Sequence, residues 1–423
     1  MDGWGGSAVG PVDQHCKPNH DTPFDMANPT VDPTHQPSSE SDRDRVRWRT
    51  PPPIDHADWL SGDGSAIISS ADNSLPGGDE MTRRLVRSGV NEIVLLHGTF
   101  VGSDVLGVAR ILSRLSPSLA ETIATATKSF MDSQMGSLGN FDAGFVSLLQ
   151  RLIRPPAHHP IDIRRMIWSG ENHHLGRIDA VIHLLANYLN QDNERRRVLV
   201  LAHSHGGNVM AMATSLIGGD MTLRQKIVDG LRNQYIMPLI GRLERPVWQD
   251  VCQALTDPMM RWPTFDVVTL GTPLRYRFGR GRGHLLHWVN HHPVDPEQPA
   301  KAVLPRWPSD LLEATGGDYV QQFGTAGTDF FPPAVAGRDW FSDRRVKQYF
   351  EPESTSRFNL AAMWRRIASG NRIAADGVTV LCDYPRDRFG AYRNLLGHAV
   401  YTHPMYLPYH VREMTTLLYD DKP

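Results

Sequence analysis

One stretch constrains the chain more than any other: Val198-Leu199-Val200-Leu201-Ala202-His203-Ser204-His205-Gly206-Gly207-Asn208-Val209-Met210. An apolar run this short, ended by a turn, reads as a strand buried on both faces. Residues 207–217 follow at once as a helix, stopped by Gly218-Gly219. Ser204 therefore sits on a strand-to-helix turn. Such a turn is tight, which explains the small Ala202 and Gly206 on either side. It lifts a hydroxyl out of the sheet's carboxyl edge and aims free helix N–H groups at whatever binds there. Ser204 is the candidate nucleophile.

Composition sets the outer limits. With 423 residues and 40% hydrophobic side chains the chain can build a full core. Its 44 Lys+Arg balance 46 Asp+Glu, so net charge gives no argument for nucleic acid or an anionic membrane as partner. Cys16, Cys252 and Cys382 are too far apart for a disulfide framework or a metal-ligand spacing, and a reducing, cytoplasmic setting is expected. The first residues show no basic and apolar signal pattern, and no apolar run approaches the ~20 residues of a membrane span. Residues 1–55 are rich in Pro, Asp, Ser, Asn and His and are expected to be a disordered tail.

Residues 56–423 read as the folded domain. Ala66-Ile67-Ile68 fits an edge strand and residues 81–87 a short helix. Glu92-Ile93-Val94-Leu95-Leu96 is a strand ending in His97-Gly98-Thr99. Acyl transfer needs two backbone N–H groups aimed at the developing oxyanion. Thr99 and His205, each just past a strand end, are the expected donors. Residues 101–155 read as helices, with Phe141, Phe145, Leu148, Leu149 and Leu152 on one face. They serve either as a lid or as packing helices. Strands follow at 161–168, 198–203, 265–270, 285–290 and 378–382, with helices between them and a mixed second insert at 297–372. This alternation builds an α/β domain on a mostly parallel sheet with helices on both faces. Arg275, Arg277, Arg280 and Arg282 form a basic loop, read as solvated or as a receiver of an anionic group. His284, His287, His291 and His292 lack partners at metal-ligand spacing, so neither metal nor cofactor is expected.

Late in the chain come Gly397-His398 and the last helix. His97-Gly98-Thr99, Ala202-His203-Ser204-His205-Gly206, Thr269-Leu270-Gly271-Thr272-Pro273 and Gly397-His398 together resemble the α/β-hydrolase superfamily, in its lipase and esterase branch. The resemblance covers about residues 90 to 420. Ala202 stands where the pattern usually has glycine. It implies an acyl-enzyme on Ser204, with His398 as general base and His403 as its substitute. Histidine suits that role because its reference pKa of roughly 6.5 lies near working pH. The acid is expected after the next-to-last strand, which points to Asp295; Asp383, at the end of the last strand and adjacent to the His398 loop, is the second candidate, and Asp318 the third. The expected substrate is a small-molecule or lipid carboxylic ester. Two other readings share these residues: an acyltransferase, and a non-catalytic binding protein that uses the tail.

Overall fold

Among the described residues six strands form one sheet, all parallel, in the order β2-β1-β3-β4-β5-β6. They are β1 (Val90–Leu96), β2 (Asp162–Met166), β3 (Arg197–His203), β4 (Thr264–Leu270), β5 (Leu285–Asn290) and β6 (Val378–Cys382). The computed structural model describes residues 78–99, 140–189, 191–219, 221–236, 245–279, 283–295, 297–298, 300–327, 337–350, 372–374, 377–384 and 395–420. These all fall in one compact unit, Arg47–Pro423. The expected tail, the strand at Ala66-Ile67-Ile68, residues 101–139 and the loop arginines Arg280 and Arg282 lie outside the described residues.

Why the inner strands β1, β3 and β4 are largely apolar follows from their parity, whereas the edge strand β2 is polar and buries only Met166. Ile93 and Leu95 of β1 share one core with Leu199 and Leu201 of β3 and Val268 and Leu270 of β4. Val94, Leu96, Val198, Val200 and Val267 point the other way, into a second core. Each face is covered by helices. The first carries α1 (Gly78–Arg87), α2 (Ala143–Leu152) and the last helix α10 (Leu407–Tyr419). The second carries α3 (His174–Ala186), α4 (Gly206–Gly218), α5 (Met221–Ile236) and α6 (Arg245–Thr256). Each fully buried Leu, Ile or Val contributes ~1.5–3 kcal/mol, so both faces are strongly held.

The inserted helices are partly accounted for. Asp142 accepts from the Phe145 N–H and caps α2, whose Phe145, Leu149 and Leu152 are buried in the first core together with Phe141. This part of the first insert packs on the sheet, and Phe141 meets the His203 ring edge-on at the end of β3. After β5 come α7 (Pro308–Glu313), α8 (Tyr319–Gly327) and α9 (Gly337–Phe350). Among the described residues no helix is long and apolar enough to cross a membrane.

The loop after β2 is tied to α9 through a buried imidazole. His173 lies with Nε2 3.5 Å from Glu171 Oε1 and Nδ1 3.5 Å from Asp343 Oδ1. The Gly176 N–H also points at Nδ1, at 3.0 Å, which favours a neutral ring. Burial favours it too. The two carboxylates outweigh both and push the His173 pKa up to about 9. A folded-state pKa above the unfolded value means the stabilisation is complete below the unfolded pKa and fades as pH climbs through the folded one. Denaturant unfolding should therefore show stability declining from about pH 6.5 to about pH 9, and His173→Gln should remove that slope. A wild-type stability that is flat across this window would contradict the charged pairing.

Candidate active site

Register brings the strand ends level. Leu96 pairs with Ala202, His203 with Leu270 and Leu270 with Trp288, so the turns after β1, β3 and β4 emerge side by side at the carboxyl edge. Strand order reverses between β1 and β3, the position where open α/β sheets form their crevice.

Ser204 occupies that position. It is 6% exposed and has φ of 52°, in the left-handed region that side-chain-bearing residues rarely adopt. Holding it there costs ~1–3 kcal/mol, which the surroundings must over-determine. They do so from three sides. The Ser204 N–H donates to the Leu270 carbonyl (2.9 Å), and its own carbonyl accepts from Thr272 Oγ1 (2.8 Å). Gly206 lies so close to β1 that a Cβ would sit 2.6 Å from the Leu96 carbonyl oxygen. Gly207 is pressed on Thr272, where a Cβ would lie 2.1 Å from Oγ1. Asn208 completes the clamp: its amide reaches the Pro273 carbonyl (2.9 Å) and His205 Nδ1 (3.0 Å), and its Oδ1 accepts from the Arg275 N–H (2.8 Å).

The turn after β1 closes on the serine. A Cβ on Gly98 would sit 2.5 Å from Ser204 Cβ, so only glycine lets the backbone pass here. His97 fixes the turn. Its Nε2 accepts the Trp168 N–H (3.1 Å), which leaves the proton on Nδ1 to be donated to the Gly98 carbonyl (2.7 Å). The Trp168 indole donates to the His97 carbonyl (2.9 Å) and stacks on its ring. Thr99 is buried next to Gly98, and His205 stands as the residue before α4. Of the two expected oxyanion donors, Thr99 thus belongs to the neighbouring turn that closes on Ser204 and His205 to the turn of Ser204 itself.

His398 is 3% exposed and lies just before a 3-10 turn, Ala399–Thr402. Its Nδ1 is 2.7 Å from Asp318 Oδ2. Its Nε2 is buried and, among the described residues, makes no hydrogen bond with Ser204 or any other group. The ring lies 4.6 Å, centroid to centroid, from that of His203, the residue before the serine. His203 Nε2 reaches the His398 carbonyl (3.3 Å). His203 thus packs on the imidazole. His403, the substitute base, accepts the Met405 N–H through Nδ1 and caps the following turn.

The carboxylate that His398 meets is Asp318, a correction to the expectation of Asp295 or Asp383. Asp295 accepts from the Glu297 N–H in a local turn, and Asp383 is engaged by His292. The strand is the expected one. After β5 the chain makes a long excursion and returns at Gly317, which bridges His291 in antiparallel fashion. Asp318 then starts α8, accepting the Gln321 N–H at Oδ1 (2.8 Å). Glycine at 317 (φ 95°) and 397 (φ 86°) lets the two loops touch: a Cβ on Gly397 would lie 2.4 Å from the Gly317 carbonyl oxygen. The glycine before His398 thus makes room for the acid's loop. Asp318 is fully buried. Burial alone would raise its pKa, but the His398 imidazole, the Gln321 N–H and the nearby Arg372 guanidinium hold the carboxyl below its ordinary range.

The histidines after β4 take separate partners. His287 Nδ1 bonds the Thr269 hydroxyl (2.8 Å), His292 meets Asp383, and the His284 side chain is about half exposed. Among the described residues no group of three or more His, Cys, Asp or Glu converges as a metal site would require. Two surface clefts open at the amino edge of the sheet, one along Thr214, Arg224 and Trp262, the other along Arg197, His284 and Tyr419; neither touches Ser204.

Thr272, Asn208 and Asp318 are the members of this site that sequence reasoning missed or ranked too low. Comparison of the chain with protein-family models, with curated proteins and with solved structures finds no match.

Proposed function

We propose that this chain is a serine hydrolase that cleaves carboxylic esters through an acyl-enzyme on Ser204. The observation that carries the reading is the pairing of a serine held at positive φ on a strand-to-helix turn with a buried His398–Asp318 couple at the same sheet edge. Ser204 shares positive φ with Ala314 and Leu396 among the described non-glycine residues, but it alone of the three stands at the switch point of the sheet, which favours a functional reason over a packing one. The chain order Ser204, Asp318, His398 is also that of the α/β-hydrolase triad.

In the proposed reaction Ser204 Oγ attacks the ester carbonyl carbon and His398 Nε2 takes the hydroxyl proton. The backbone N–H groups of Thr99 and His205 receive the negative charge on the carbonyl oxygen. His398 returns the proton to the departing alcohol. Water, activated by the same nitrogen, then releases the acid and restores the serine. Asp318 keeps the Nδ1 proton in place, so Nε2 is the nitrogen with a free lone pair. The Oγ–Nε2 bond is open in this conformation; such contacts often tighten only once substrate is bound.

A fluorophosphonate probe tests this directly. Incubation of the full chain should attach one phosphonyl group, and peptide mapping should find it on Ser204. Absence of labelling, together with no turnover of p-nitrophenyl butyrate, would leave a binding protein on the same scaffold.

A further inference from the structure

Asp318 Oδ2 accepts a second hydrogen bond besides that from His398. The Tyr401 hydroxyl lies 2.8 Å from it. That hydroxyl also receives the Asn290 backbone N–H at 2.7 Å, from the last residue of β5. A phenol has one proton. With an N–H pointed at its oxygen, Tyr401 must aim that proton at the carboxylate. Tyr401 and Asp318 are both fully buried, so the contact is made in a medium where such bonds are strong. Glycine at 271 (φ 59°) makes the approach possible, since a Cβ there would lie 2.3 Å from the Tyr401 ring and 2.6 Å from Asp318 Oδ2. The geometry assigns to Tyr401 a positioning role: it ties the acid's Oδ2 to the end of β5 and withdraws negative charge from the oxygen that supports the His398 imidazolium. This rests on the proposed hydrolase reading.

The charged and titratable groups around the pair are few. His203 faces both rings, at 4.6 Å from His398 and 5.9 Å from Tyr401, and Tyr384 meets the Tyr401 ring edge-on at 6.3 Å. The buried Arg372 guanidinium holds the same loop by donating to the Asn290 carbonyl (2.7 Å) and the Gly316 carbonyl (3.0 Å). Burial, and then the Asp318 charge, push the Tyr401 pKa well above its ordinary value, so it stays a donor across the working pH range.

Tyr401→Phe deletes the donor and keeps the ring. It should have two separable effects. Looser aim of the imidazole should lower kcat by about 10-fold with KM unchanged. A carboxylate no longer shared with the phenol should hold the imidazolium more firmly, moving the acid limb of kcat/KM up by about half a pH unit or more. Tyr384→Phe is the control. Its hydroxyl is equally buried but bonded to Trp288 and His410, so its loss should leave the limb in place. Rates per fluorophosphonate-titrated site remove any loss of folded protein, and the limb's position does not depend on that fraction. Proton NMR of the His398 Nδ1–H through the same pH range supplies a readout without turnover. An unmoved limb and resonance in Tyr401→Phe overturn the assignment while leaving the hydrolase reading intact. A wild type that neither labels nor turns over removes the hydrolase reading first, and this one with it.

Discussion

Ser204→Ala is expected to lower turnover of p-nitrophenyl butyrate by about 10⁴-fold or more, while the protein stays folded. In free energy this is ~5.5 kcal/mol of barrier. The Thr272 hydroxyl, which lies against the turn, is already bonded to the Ser204 carbonyl and does not take the serine's place. The neighbours of Ser204 at Gly98, Gly206 and Gly207 are held to hydrogen by the contacts a Cβ would meet. Stability provides the companion measurement. Alanine keeps a Cβ at a φ of 52°, so the backbone strain remains and the melting temperature should barely move. Ser204→Gly removes the strain, at the expense of a freer unfolded chain, and should be no less stable than Ser204→Ala although equally inactive. Ester turnover retained at a tenth of the wild-type rate or above in Ser204→Ala would end the assignment of Ser204 as nucleophile.

Much of this site was legible because local sequence dictates local geometry there. The inner strands β1, β3 and β4 are largely apolar runs, since both faces are covered, and the turns after them carry Gly98, Ser204 and Gly271. The turn that carries Ser204 needs small neighbours, and the chain has them. His398 could be picked from Gly397-His398, and the glycine lets its loop touch Gly317. Asp318 was harder to see because its place depends on a return path. Proximity to the end of β5 favoured Asp295, yet that carboxylate serves its own turn. The signal for Asp318 was present: two glycines, then an Asp, then Gln three residues on, at the start of an apolar helical run. Asp383 failed as a candidate because His292 already occupies it, a pairing that spacing along the chain does not disclose. Asn208 and Tyr401 carry no pattern at all, and Thr272 stands in a recognisable motif that says nothing of its bond to Ser204. Each acts through one hydroxyl or amide on a group far away in sequence, and only register brings them together.

Asp318→Asn is the second large effect expected, a fall in kcat of about 10⁴-fold with substrate binding retained. The side chain sits in a cage of donors: His398 Nδ1 and the Tyr401 hydroxyl on Oδ2, the Gln321 N–H on Oδ1. An asparagine amide has one oxygen for these three. The Tyr401 hydroxyl and the Gln321 N–H both need an acceptor, and whichever orientation the amide takes, one donor is left facing an NH₂ group. When the NH₂ faces His398, Nδ1 must accept, the proton moves to Nε2, and the nitrogen beside Ser204 loses the lone pair that would take the hydroxyl proton. The outcome is the wrong tautomer on a protein whose fold is otherwise kept. Asp295→Asn and Asp383→Asn provide the contrast, and each should stay within about twofold of wild type, since neither carboxylate touches the imidazole. Should Asp295→Asn or Asp383→Asn instead be the variant that loses turnover, the His398–Asp318 contact would be a packing feature and a different carboxylate would have to move into reach during the reaction.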